Sequence, residues 1–338
     1  MDLSTNYMGL QLNHPIVVSA CPLSETLDGI KLLEDSGASA IVMFSLFEEQ
    51  IRNENEAFDS FLQSGADSFA ESLSYFPQIG DTDKGPEQYL NLLSKAVEAT
   101  DIPIIGSLNG ISREGWIDYA RQIQQAGASA LELNIYHIPT DIEQSGAEVE
   151  QRYIDILESV KSSVSIPVAI KLSPFFSSTG NFAKRLDEAG ADGLVLFNRF
   201  YQPDFNLDTL KVDPRAVLSS AEEIRVPLLW VAVLHGRIQA SLAASRGVQS
   251  ATEIVKYLLA GADTVMVASA LMKHGPQYLQ VLLDDLNDWL NARGYDSVNE
   301  VRGKMSHLNA INPDAFERVN YIKTLEHASS LRWDSFVS

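Results

Sequence analysis

The sequence predicts an α/β protein, a (β/α)8 TIM barrel with insertions in its βα-loops and a C-terminal helical extension. Three observations carry this expectation. Four segments share one pattern: Ser36–Ala40 (SGASA), Ala126–Ala130 (AGASA), Ala189–Gly193 (AGADG) and Ala260–Thr264 (AGADT). Each follows an amphipathic helical stretch; its Gly suits the left-handed position that ends a helix, and small residues let the chain turn directly into a strand. Two more strands are announced by Asp101-Ile-Pro-Ile and Ser165-Ile-Pro-Val, where Pro blocks a helix and leads into extended chain. Finally, eight strands can be counted, each followed by a helix, which favours a closed parallel barrel over a doubly wound sheet.

In chain order, the predicted strands are 15–20, 40–45, 103–109, 130–136, 167–173, 193–198, 240–245 and 264–269. The predicted helices are 26–36, 86–99, 113–126, 148–163, 180–189, 251–260 and 275–292. Residues 225–235 (RVPLLWVAVLH) are apolar and β-branched enough to pass as a strand. The barrel needs only one strand there, however, and 240–245 runs directly into the Ser245-Arg246-Gly247 turn and a helix. Residues 227–238 are therefore expected to form a buried helix. Two insertions, 46–84 and 199–224 (199–238 with that helix), leave from strand C-terminal ends. Barrel active sites are built on that face, and long loops there are expected to act as lids. Beyond about residue 296 the pattern changes to short helical pieces, 298–309 and 314–325. Residues 1–296 are thus expected to be the barrel and 297–338 an appendage on its exterior.

Composition narrows the functional classes. The net charge of −20 argues against a nucleic-acid partner and against docking on anionic lipid. A single cysteine, Cys21, excludes an internal disulfide framework, a Cys-rich zinc site and a self-contained iron–sulfur cluster. The opening MDLSTNY has neither a basic n-region nor an apolar h-region, so a cytoplasmic location is expected. No P-loop, HExxH or strand-linked GxGxxG occurs, and the six histidines are scattered, so no metal site is expected.

The residues at the predicted strand ends are polar: Ser19-Ala20-Cys21, Ser45, Ser107 to Asn109, Asn134 to His137, Lys171 to Ser173, Asn198, Ser245 to Gly247 and Ala268-Ser269. Asn109, Asn134 and Asn198 each carry donors and acceptors that match amide-type edges, such as those of a flavin or a pyrimidine. Lys171 lies in an apolar strand, VAIKLS, and an unpaired buried ammonium is costly. It calls for an anionic or electron-rich partner, for which a flavin N1/C2=O locus would serve; a structural pair with Glu132 on the neighbouring strand is the alternative. The two strand-turn-helix units over 239–276 aim backbone amides at one point, where barrels hold a phosphate.

These residues resemble the dihydroorotate dehydrogenase family over roughly residues 5–290. The resemblance rests on NHPIVVSAC (13–21), LELNI (131–135), IPVAIKLSP (166–174) and the phosphate end over 247–271, with SLFEEQI (45–51) similar to a soluble bacterial subgroup. It implies a flavin mononucleotide (FMN) enzyme that oxidises dihydroorotate or a related cyclic amide, passing hydride to flavin N5. It implies FMN contacts from Ala20, Ser45, Asn134 and Lys171, a substrate-side amide from Asn198, and a phosphate grip from Gly247, Ala268 and Ser269. A homodimer fits the soluble relatives, and the electron acceptor is left open.

Three departures stand out. The family's strand-two lysine is Phe44. The family's loop Asn-x-Ser-(Cys or Ser)-Pro-Asn, whose Cys or Ser takes the substrate proton, is Asn134-Ile-Tyr-His-Ile-Pro-Thr140, one residue longer before Pro. His137, or else Tyr136, is the candidate base there. The family's Gly-Gly phosphate turn is Arg246-Gly247, where Arg246 either pairs with the phosphate or points outward. Such a pattern implies flavin chemistry on an altered substrate, or a barrel that has lost catalysis and serves a regulatory role. A tRNA-dihydrouridine-synthase-like reading shares barrel and FMN but conflicts with the charge and lacks a catalytic Cys motif.

Overall fold

The structure is a computed structural model that describes residues 1–47, 85–110, 113–199, 203–213, 218–310 and 325. The chain opens with an antiparallel hairpin, β1 (Thr5–Tyr7) and β2 (Leu10–Leu12). Its turn, Met8-Gly9, has both residues at positive φ (54° and 83°), the two-residue geometry whose twist matches the strands it joins. Then follow β3 (Ile16–Val18), α1 (Leu27–Asp35), β4 (Ile41–Val42), β5 (Leu46–Phe47), α2 (Pro86–Ala99), β6 (Ile104–Asn109), α3 (Arg113–Gln125), β7 (Ala130–Asn134) and α4 (Gly146–Lys161). After these come β8 (Val168–Leu172), α5 (Thr179–Glu188), β9 (Gly193–Leu196), β10 (Asp204–Asn206), β11 (Lys211–Asp213), α6 (Arg225–Leu234), β12 (Ser241–Ser245), α7 (Ala251–Ala260), β13 (Thr264–Val267), α8 (Ser269–His274) and α9 (Tyr278–Asn291).

Nine of these strands form one parallel sheet in the order β4-β3-β13-β12-β9-β8-β7-β6-β5. Because β4 also pairs with β6, and β4 and β5 are successive parts of the second barrel strand, the sheet closes into an eight-stranded barrel. The expected fold class is therefore what the chain adopts. Each repeated junction glycine (Gly37, Gly127, Gly190, Gly261) sits at positive φ, between 94° and 118°, as a left-handed helix stop requires.

Apolar residues divide into two cores. Outside the barrel, strand residues pack against the surrounding helices. Inside, Val17, Val42, Ile105, Ala169, Val195 and Met266 meet Tyr7, Met8 and Leu12 of the hairpin, which stoppers the N-terminal end. Thr5 Oγ1 donates to the Asp263 carbonyl (2.9 Å), and the Met8 amide donates to Ser241 Oγ (3.0 Å), fixing the hairpin to the strands. The opposite end, where the strands finish, is polar.

The expected buried helix over 227–238 is α6, Arg225–Leu234, with Val231, Ala232 and Leu234 buried. The expected helix 275–292 begins later, at Tyr278, because α8 ends at Gly275 (φ 87°) and Pro276 cannot extend it. The piece over 298–309 is a 3-10 turn, Val298–Glu300, and then turns instead of a helix. Its backbone is held by other elements: the Gly303 and Met305 amides donate to the carbonyls of Leu258 and Leu259 (2.9 and 2.8 Å). The insertion over 46–84 lies outside the described residues from residue 48 on, as does the helical piece 314–325 except Leu325. The other insertion contains the β10–β11 hairpin, which the sequence did not announce. Among the described residues, no helix is long and apolar enough to cross a membrane, and no cluster of candidate metal ligands occurs.

Candidate active site

At the C-terminal end of the barrel a cavity of about 360 Å³ opens. Its wall includes Ala20, Lys171, Asn198, Arg246, Gly247, Ala268 and Ser269, seven of the residues singled out in the sequence, together with Ser19, Cys21, Leu218, Ser219 and Ser245. Ser45, Asn109, Asn134 and His137 also lie at strand ends or in the loop after β7 but do not form part of this wall.

Lys171 is buried, and its ammonium lies 3.1 Å from Glu132 Oε1 and 3.4 Å from Ser19 Oγ. Strand alternation explains the meeting. In the parallel register Asn134 sits beside Lys171 and Glu132 beside Ala169, so all three side chains share the inward face of β7 and β8. The alternative weighed from sequence, a pair with Glu132, is thus realised. It does not exhaust the carboxylate, because Glu132 Oε2 is buried without a hydrogen-bond partner. Asn198 is hung on β8 by its amide (to the Leu172 carbonyl, 2.7 Å), and its Nδ2 donates to Asn134 Oδ1 (2.6 Å). That bond uses one N–H of Asn198 and one acceptor position of Asn134, so each side chain keeps both donor and acceptor capacity toward a ligand's edge.

Around the second strand, Ser45 Oγ and Ser107 Oγ are 2.9 Å apart, and Tyr89 OH accepts from the Ser107 amide (2.9 Å). Phe44 packs edge-on against Tyr89, ring centroids 5.0 Å apart. Where the resembling family has lysine, this chain has an aromatic contact. His137 Nε2 lies 3.3 Å from Gln144 Oε1, so the ring is tied to its own loop. Cys21 is buried, and burial pushes its thiol up, which disfavours the thiolate a nucleophile needs.

At the cavity's other end Gly247 has φ 72°, and a Cβ there would lie 2.6 Å from Ile224 Cγ2 and 2.8 Å from Ile224 N. Only glycine fits. Arg246, itself at φ 88°, is fastened on both sides: its carbonyl accepts from Tyr257 OH (2.9 Å) and its guanidinium pairs with Glu223. Burial raises the Glu223 carboxyl, but the Arg246 hydrogen bond, the Ser220 amide and the neighbouring guanidinium charges outweigh it and hold it below the usual range. Arg246 therefore does not point freely outward: its charge is paired with Glu223, while its Nε is buried without a hydrogen-bond partner. Ser219, which comes from the insertion after β9, carried no sequence signal, and Glu223 belongs to a local Ser-x-x-Glu capping box, Ser220 to Glu223, that does not announce its pairing with Arg246. Their roles depend on a loop path that no periodicity encodes.

A family model described as dihydroorotate dehydrogenase matches residues 2–290. The chain belongs to that family. Relatives include a protein of Aeropyrum pernix provisionally named dihydroorotate dehydrogenase A (fumarate), 25% identical over 89% of this chain and 97% of its own. A dihydroorotate dehydrogenase B (NAD(+)) catalytic subunit of Thermoplasma acidophilum is 25% identical over 89% of this chain and 98% of its own. The corresponding subunit of Bacillus pumilus is 31% identical over 62% of this chain and 68% of its own. The family is one of oxidoreductases acting on a CH–CH bond, and its barrel is the one observed here.

Proposed function

We propose that this protein is an FMN-dependent oxidoreductase that oxidises dihydroorotate or a related cyclic amide. Lys171 carries the reading: a buried cation at the cavity wall, already balanced by Glu132, in a chain of the dihydroorotate dehydrogenase family. The residues present fit the cofactor. A balanced ammonium and the Asn198 amide line one part of the cavity, and amides and hydroxyls of Ser245 to Gly247 and Ala268-Ser269 line another. Its volume also falls within the range of ordinary small-molecule sites, about 300–1,000 Å³. When bound, FMN would supply N5 as the hydride acceptor.

In this reading the chain's own groups orient and deprotonate. Lys171 and Asn134 hold the electron-rich edge of the ring, and Asn198 matches the substrate's amide edge. Ala20, Ser45 and Asn109 complete the contacts to the ring, while Gly247, Ala268 and Ser269 hold the phosphate. His137 is the proton acceptor, imidazole being the side chain that exchanges protons most readily near neutral pH. A cytoplasmic location and a homodimer complete the proposal. The relatives' names carry two electron acceptors, fumarate and NAD, so each is to be supplied in the assay.

The test is to purify the protein, look for flavin absorbance, and add dihydroorotate anaerobically. Bleaching of the flavin supports the reading. A yellow protein that dihydroorotate fails to bleach points to a different substrate. If His137→Ala reduces its flavin as fast as wild type, His137 is not the base. A second reading, a barrel with altered or lost catalysis, is favoured by Phe44 packed on Tyr89 and by the commitment of Arg246 to Glu223. A colourless protein that refuses added FMN would establish it.

A further inference from the structure

The insertion after β9 ends in a stretch, 218–224, that lies over the loops following β12 and β13. Leu218 and Ser219 form part of the cavity wall. Several ties hold the stretch in place. The amide and hydroxyl of Ser219 both donate to Ser269 Oγ, at 3.2 and 2.9 Å. The Gly247 amide donates to Ser219 Oγ (3.3 Å), and Gln249 Nε2 donates to the Ser219 carbonyl (2.9 Å). Glu223 adds the ion pair to Arg246 and accepts from the Ser220 amide (3.0 Å).

A hydroxyl oxygen has two acceptor positions and one proton to donate. At Ser269 both acceptor positions are taken by Ser219, and no described residue accepts the Ser269 proton. Ser219 is buried, so its own hydroxyl is committed where water competes little. Ser269 lines the cavity, and among the described residues its hydroxyl donor has no acceptor. A donor so placed suits an anionic oxygen, and hydrogen bonds to charged oxygens are the stronger ones. Arg246, by contrast, has its charge paired with Glu223 and keeps only a buried Nε without a partner. This end of the cavity therefore offers oriented donors where a free positive charge would have been expected.

We propose that Ser219 is a positioning residue for a phosphate monoester: it orients the Ser269 hydroxyl to donate to a phosphate oxygen. The inference rests on the FMN reading and deepens it. FMN and riboflavin share the ring and differ in the phosphate, so comparing them isolates this end of the site. Full-length protein freed of flavin is titrated with each, following flavin fluorescence, while thermal unfolding checks the fold.

Wild type is expected to prefer FMN. Ser219→Ala should lose about tenfold in FMN affinity, with riboflavin affinity unchanged. Ser269→Ala should lose at least as much, and the double variant no more than Ser269→Ala alone, because the first residue acts through the second. Equal weakening for both ligands, unchanged FMN affinity or tighter FMN binding in Ser219→Ala would overturn the proposal. Should Ser219→Ala unfold, Ser269→Ala carries the comparison, and an FMN affinity equal to wild type overturns it. Failure of the wild type to bind FMN at all would sink both the proposal and the FMN reading.

Discussion

The Lys171–Glu132 pair gives a quantitative test of how the barrel interior is balanced. The charges lie 3.1 Å apart with side chains 7% and 1% exposed. At an effective dielectric of about 20 their attraction is about 5 kcal/mol, set against a desolvation cost of several kcal/mol for each ion. The net worth of the pair is therefore small. Breaking it is not. Lys171→Met leaves the Glu132 carboxylate buried without a counter-charge, beside an Oε2 that already lacks a partner. That loss should be about 3–5 kcal/mol, a large part of the about 5–15 kcal/mol that stabilises a typical domain. Glu132→Leu should do similar harm by stranding the ammonium. The double variant removes both charges and both desolvation costs, so it should return to within about 1 kcal/mol of wild type or exceed it. Urea unfolding of flavin-free protein, followed by two probes to check that the transitions coincide, measures all four forms. Singles that each cost under about 1 kcal/mol, or a double that costs the sum of the singles, would refute the reasoning.

Two further effects follow from other sites. His14 is buried, its Nδ1 accepts from the Ile16 amide (3.2 Å) and its Nε2 lies 2.8 Å from the Gly37 carbonyl; burial lowers its pKa from 6.5 to about 4. The unfolded chain takes up this proton first, so stability should fall by about 3 kcal/mol as pH drops from 6.5 to 4 and be unaffected by this group above 6.5. An unfolding series in which His14→Gln keeps the same pH slope would contradict this. Gly247→Ala combines a left-handed residue, about 1–2 kcal/mol, with an overpacked contact at Ile224, about 1–3 kcal/mol, so thermal unfolding should register a loss of about 2–5 kcal/mol.

Much of the fold was legible because barrel grammar is local. Gly261 ends its helix and Thr264 begins the next strand within four residues, and the same junction recurs. Lys171 stood out because an ammonium in VAIKLS needs an account on its own. The rest depended on long-range encounters. The hairpin was missed because its turn uses Met8-Gly9 where Asn-Gly would be the strong signal. Arg246 was read as either pairing with the phosphate or pointing outward, because its partner, Glu223, comes from a loop whose course is set by tertiary contacts. Ser219 was invisible for the same reason, since nothing in its neighbourhood marks it as a bridge between two barrel loops.

The stopper at the other end of the barrel carries a consequence for how the molecule is assembled and handled. Thr5 is joined to Asp263, 258 residues later, and Met8 to Ser241. The hairpin residues thus wait for the seventh and eighth strands before their contacts exist. Removing them should strip Tyr7, Met8 and Leu12 from the barrel floor and leave its apolar inner layer open to water. A surface tether attached at residue 1 would hold the molecule from the hairpin end, with the cavity at the opposite end of the strands facing the solution.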